Sequence, residues 1–220
     1  MLGETTNRSY LSVGFGRIRK RAKKGDEKAV ERTLKDGEKT YAIEYKFISG
    51  KLMGVSFRDD PQYGKSWTLF IEDGENYAVQ FSENSRYGSE LLKILPNLHK
   101  GEVYKITPYD FTDDVTLKRK IGLSIKDSND NRIDSYYQKF TETEKGWNVE
   151  NLHGYPEFNG DSKDRDELKI YFIQVTKFLR EKTLVFLEDK FPSSEIVTAE
   201  SITEDFDGVP EQPGEDDLPF

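Results

Sequence analysis

The densest chemistry in this chain is cationic. Arg17-Ile18-Arg19-Lys20-Arg21-Ala22-Lys23-Lys24 places six positive side chains in eight positions, and Lys118-Arg119-Lys120 repeats the pattern on a smaller scale. Such clusters attract phosphates, and every phosphate neutralised releases condensed counterions. A single nucleic-acid strand also needs rings, because a base stacked on an aromatic side chain is worth roughly 1–3 kcal/mol. Aromatics reach 13% of the residues, with 12 Tyr and 14 Phe, enough to furnish both a core and a ligand face.

Catalytic patterns are weaker. Glu44-Tyr45-Lys46 has the Glu-x-Lys spacing of a metal-dependent nuclease strand, in which carboxylates hold Mg²⁺ and the lysine assists the attacking water. That chemistry needs a second acid across on a neighbouring strand, whereas Asp36 precedes the same strand. His99 and His153 stand in unrelated contexts without a triad pattern. No Walker-type loop is present, and Gly14-Phe15-Gly16 follows no convincing strand. Without Cys there is no disulfide, thiolate nucleophile or cysteine metal site. The expectation is a binding protein with no catalytic residues, metal or cofactor.

The elements that must carry these residues follow from periodicity. Residues 1–37 read as a basic N-terminal segment with a short helix around Ala29, Val30 and Leu34. From Tyr41 the period becomes two, with Tyr41, Ile43, Tyr45 and Phe47 alternating with Ala42, Glu44 and Lys46. Ser49-Gly50-Lys51 reads as a tight turn into a second strand at 52–58. Trp67, Leu69 and Ile71 mark a third strand, and Tyr77, Val79 and Phe81 a fourth beyond the Asp73-Gly74 hairpin signal. A helix is expected over 89–98, strands over 103–109, 120–127 and 132–140, an irregular loop over 146–163, and one long helix over 164–190. Asp164, Asp166 and Glu167 suit the positive end of that last helix.

Short strands interrupted by one helix, without a βαβ rhythm, predict a mainly β fold with added helices. The expected form is an OB-fold-like antiparallel β-barrel, which binds oligonucleotides on a strand face. The long helix would close the barrel, pair with a second subunit as a homo-oligomer, or both. Alternation puts Phe70 opposite Trp67, Leu69 and Ile71, and Tyr136 opposite Ile133, Ser135 and Tyr137, so both rings are expected on a polar face. Lys46 and Arg58 fall there as well. The expected nucleic-acid contacts are Arg17, Arg19, Lys20, Arg21, Lys23, Lys24, Lys46, Arg58, Lys118, Arg119 and Lys120 for phosphates, with Phe70, Tyr136 and Trp67 for bases.

The formal net charge of −8 conceals a division. Residues 191–220 hold nine acids and no Lys or Arg, so residues 1–190 carry 33 basic and 32 acidic side chains. A near-neutral domain over 1–190 is therefore expected to precede a disordered acidic tail over 191–220. The tail finishes Asp216-Asp217-Leu218-Pro219-Phe220. Phe220 offers a ring and a terminal carboxylate, Pro219 limits the freedom lost on docking, and the two acids attract a positive partner.

This tip resembles that of single-stranded DNA-binding proteins of the bacterial and bacteriophage type, which end in acids followed by an apolar residue, Pro and Phe. The resemblance implies that Asp216, Asp217, Leu218, Pro219 and Phe220 recruit replication, recombination and repair proteins, and that the acidic tail competes with DNA for the binding groove. It also implies an OB core with extra strands and helices, as in phage-encoded versions, working in the host cytoplasm. The chain lacks the long Gly/Gln-rich linker of the cellular bacterial proteins. Having no Cys, it also lacks the structural zinc of some phage relatives. No apolar run approaches the roughly 18 residues of a membrane span, and no secretory leader is evident, so a soluble intracellular protein is expected. Two rival readings stay open: a protein–protein adaptor or virion structural component, and a metal-dependent nuclease using Glu44 and Lys46.

Overall fold

A computed structural model describes residues 8–34, 37–144 and 146–191. The N-terminal part holds strands β1 (Arg8–Gly14), β2 (Arg17–Arg21) and β3 (Val30–Thr33). Next come β4 (Lys39–Tyr45), β5 (Ile48–Asp60), β6 (Gly64–Asp73) and β7 (Glu75–Ser82), followed by helix α1 (Arg86–Ile94). The chain continues through β8 (Val103–Thr112), β9 (Arg119–Lys126), β10 (Gln138–Thr143), β11 (Gly146–Asn151) and α2 (Arg165–Lys190). Nine strands form one sheet in the order β3-β4-β2-β1-β7-β6-β5-β8-β9, and β10 pairs with β11 as a separate hairpin. The fold is mainly β, a curled sheet with two helices.

Several expectations need correction. The described part of the basic N-terminal segment holds three sheet strands and no helix, because Leu11, Val13 and Ile18 alternate with polar residues and charge density hides that period. Ile18 is fully buried between flanking arginines. Strand β1 does precede Gly14-Phe15-Gly16, yet that turn leads into β2 as an antiparallel hairpin rather than into a phosphate-binding helix. Ser49-Gly50-Lys51 lies inside β5, since β4 and β5 are not sheet neighbours. Further along, 132–137 is irregular and part of the expected 146–163 loop is strand β11, paired with β10 from Gln138↔Asn151 to Thr143↔Gly146. Pairing is antiparallel throughout the large sheet except between β1 and β7, which run parallel.

One sheet face forms the core. Leu11, Ile18, Val55, Leu69, Val79, Trp67 and Phe81 pack there against Tyr87, Leu91 and Leu92 of α1 and Val175, Leu179 and Leu187 of α2. Each fully buried leucine contributes about 2 kcal/mol. The sheet curls until the β1–β2 turn reaches β8. Gly16 (φ +68°) sits so close that a Cβ would lie 2.6 Å from the Asp110 amide nitrogen. Its own amide donates to the Tyr87 hydroxyl at 2.7 Å.

Helix α2 starts where the acids predict. The Asp164 carboxylate caps it by accepting from the Asp166 and Glu167 amides. The helix folds back on its own chain, and Arg180 reaches the buried Glu83 carboxylate at 2.8 Å. Glu83 also accepts from the Trp67 indole N–H at 3.1 Å. Burial raises the Glu83 pKa, opposed by the bonds from Trp67 and Arg180.

Candidate nucleic-acid interface

Side chains directly opposite each other across paired strands share a face, so the registers sort the sheet into two surfaces. Behind the core runs a row of Ser56, Thr68, Gln80, Ser12, Arg19 and Glu44, crossing six strands without one aliphatic residue. The adjoining row is Gly54, Phe70, Ala78 and Tyr10. Among strand positions, this second face collects Arg8, Arg17, Arg19, Arg21, Arg32, Lys51, Arg58, Lys105, Lys120 and Lys126 against Glu44, Asp60 and Glu72. The core face carries Lys20, Lys39, Lys65 and Arg119 against Glu31, Asp59, Asp73, Glu75 and Asp110. A nearly neutral body is thus strongly positive on one sheet face.

Arg17, Arg19, Arg21, Arg58, Phe70 and Lys120 come together on that second face. Lys20 and Trp67 do not; they fall on the opposite side. Trp67 is 0% exposed in the core, where alternation and its bond to Glu83 hold it, so its ring meets no base. Phe70 is on the expected face but closed, at 5% exposure, with the Arg8 guanidinium 4.8 Å from its ring centre. Tyr136 stacks on His153 (3.9 Å, 12°) and meets Phe186 edge-on, so its ring is engaged within the chain. Lys23 and Lys24 are exposed in the β2–β3 connection, Lys46 between β4 and β5, and Lys118 just before β9. Arg119 grips Asp110 through two bonds, at 2.9 and 2.7 Å. The expected partner-binding residues Asp216, Asp217, Leu218, Pro219 and Phe220 lie outside the described residues.

Arg19 is 2% exposed and pairs with Glu44 at 3.5 Å. Glu44 holds Arg32 bidentately at 2.6 and 2.9 Å, and the Phe15 ring lies beneath both guanidinium groups. The Arg32 bonds, and the nearby Arg19 and Arg17 charges, keep the Glu44 carboxyl below its ordinary range despite desolvation. Burial is the main influence on Arg19, lowering its pKa. This cluster braces β2, β3 and β4, and Arg19 is too enclosed to serve as a phosphate contact. A carboxylate claimed by two guanidinium groups is also poorly placed to hold Mg²⁺. Among the described residues, no group of three His, Asp or Glu is arranged to hold a metal ion, and no helix is long and apolar enough to cross a membrane.

Three further cations of this face make ion pairs near the surface. Arg58 meets Asp60 at 2.6 Å, Lys120 meets Asp113, and Lys126 meets Asp130 at 2.7 Å. The Lys120 bond, with the Thr116 amide and hydroxyl, holds the Asp113 carboxyl far below the ordinary range. Solvent screens such pairs strongly, so a phosphate can replace the carboxylate at little cost.

Two open rings stand beside this cationic face that sequence reasoning missed. Phe47, in the β4–β5 connection, is 48% exposed with Lys105 Nζ 4.6 Å from its ring centre. Phe111 is 50% exposed, directly opposite Lys120 in register and 5.9 Å from the Tyr109 ring. The signal for Phe111 was the continued alternation Tyr109-Asp110-Phe111 beyond the expected end of that strand. Phe47 read as the last inward residue of its strand, but β4 ends at Tyr45. Comparison with known proteins finds no matching family model, no matching curated protein and no matching solved structure.

Proposed function

We propose that this protein is a non-enzymatic single-stranded DNA-binding protein that coats unpaired strands during replication, recombination and repair. In this reading the curled sheet, with α1 inserted between β7 and β8, is an elaborated OB-like half-barrel. The gathering of cations on the second sheet face carries the proposal, since local neutrality elsewhere gives solubility no need of it. Arg17, Arg21 and Arg58 attract phosphates there, aided by Lys23, Lys24, Lys46 and Lys118 at its margins. The Asp216–Phe220 tip recruits partner enzymes, and the setting is the cytoplasm, that of a host cell if a phage encodes the chain.

The test is a gel-shift titration with oligo-dT and with duplex at two salt concentrations. Oligo-dT should bind more tightly than duplex, with a log–log salt slope of roughly −0.7 per phosphate neutralised. A flat salt dependence defeats the cationic face. Absence of any shift returns the protein to the adaptor reading. Mg²⁺-dependent cleavage abolished by Glu44→Ala would establish the nuclease instead.

A further inference from the structure

Resting on the single-strand reading above, we infer that bases stack along β8, on Phe47 and Phe111, with Lys105 and Lys120 holding the adjoining phosphates. Both rings are about half open, and each has an ammonium group at hand: Lys105 over Phe47, and Lys120 across the β8–β9 pairing from Phe111. Lys105 and Phe111 share a face of one strand. Six residues apart at about 3.4 Å per residue, they span roughly 20 Å. That distance suits several nucleotides, within the roughly 4–16 that one such fold engages. An exposed cation–π contact is worth only about 0.5–1 kcal/mol. A stacked base offers more, so it displaces the Lys105 ammonium from Phe47 towards the next phosphate.

The other open rings fit less well. Trp147 and Phe140 share one face of the β10–β11 hairpin with Val149 and Glu142, and no strand lysine stands on that face, because Lys139 lies on the other one opposite Glu150. Tyr45 is opposite Ile18 on the core side of the sheet.

Fluorescence anisotropy of labelled oligo-dT with the full chain tests this at two salt concentrations. Phe47→Leu and Phe111→Leu should each weaken binding roughly five- to a hundredfold without changing the salt slope. Lys105→Gln and Lys120→Gln should each reduce the slope by about 0.7. If the unaltered protein binds while both Phe variants match it, the β8 path is wrong and the broader reading stands. If the unaltered protein binds no oligonucleotide, both fall together. Ultraviolet cross-linking of the unaltered protein to oligo-dT decides the matter without any variant. Cross-links at peptides containing Phe47 and Phe111 support the path, and cross-links confined to the Trp147 hairpin overturn it.

Discussion

At Glu44 two guanidinium groups converge on one carboxylate that is largely shut off from solvent. The folded protein holds this carboxyl below its ordinary value of 4.5. Its stabilising contribution is therefore present above that value and is lost as the pH falls through the lower, folded one. Glu44→Gln leaves Arg19 buried without its counter-charge. It should cost about 2 kcal/mol at neutral pH, less than a fully buried pair because Arg32 is partly exposed. Urea denaturation at about pH 7 and about pH 3 checks this: the penalty should shrink in acid, and an equal penalty at both would refute the charge argument. Residue by residue, chemical type was legible and environment was not. Arg19 looked like its neighbours in the basic run, yet only Arg19 is nearly closed off there, because its register sets it beside Glu44 and Ser12 in mid-sheet.

Elements with strong local periodicity were read well. Strands β4 to β9 and both helices overlap the expected stretches, with ends displaced by up to four residues (α1 is Arg86–Ile94 against 89–98, β5 Ile48–Asp60 against 52–58), because a period of two or of 3.6 in apolar residues, punctuated by Asp73-Gly74 or capped by Asp164, is a local property. Failures fell where local signals conflict. In β2 charge density masked the alternation, and at Gly50 turn-forming residues sit inside a strand. The helix α1 entry shows how tightly one element fixes the next. A Cβ on Gly88 would lie 2.1 Å from the Ser82 carbonyl oxygen and 3.2 Å from the Glu83 Cα, both backbone atoms unable to swing aside. Gly88→Ala should thus destabilise the fold by about 2 kcal/mol, read as a lower urea midpoint with little change in slope. An unchanged midpoint would mean that α1 is less firmly seated against β7.

At the scale of the whole molecule the governing quantity is charge distribution. Residues 192–220 carry nine acids, and removing them takes the chain from a formal net of −8 to a nearly neutral body with one positive sheet face. Deleting 192–220 should leave oligo-dT affinity unchanged or increase it, most visibly at low salt where screening is weakest. Weaker binding by the truncated protein, measured by the same anisotropy titration, would contradict a competing tail. Composition and local pattern alone determined the mainly β character, the place of both helices, the acidic extension and the kinds of side chain available to meet a phosphate or a base. Only the tertiary structure decided which of them meet. Strand order joins β1 to β7 and β5 to β8 across long stretches of chain, and no local period encodes such pairings. That order closes Phe70 under Arg8 and aligns cations from distant segments behind the core, while the β10–β11 hairpin brings His153 onto the Tyr136 ring. Exposure and proximity belong to the packed sheet because they are set by neighbours far away in sequence.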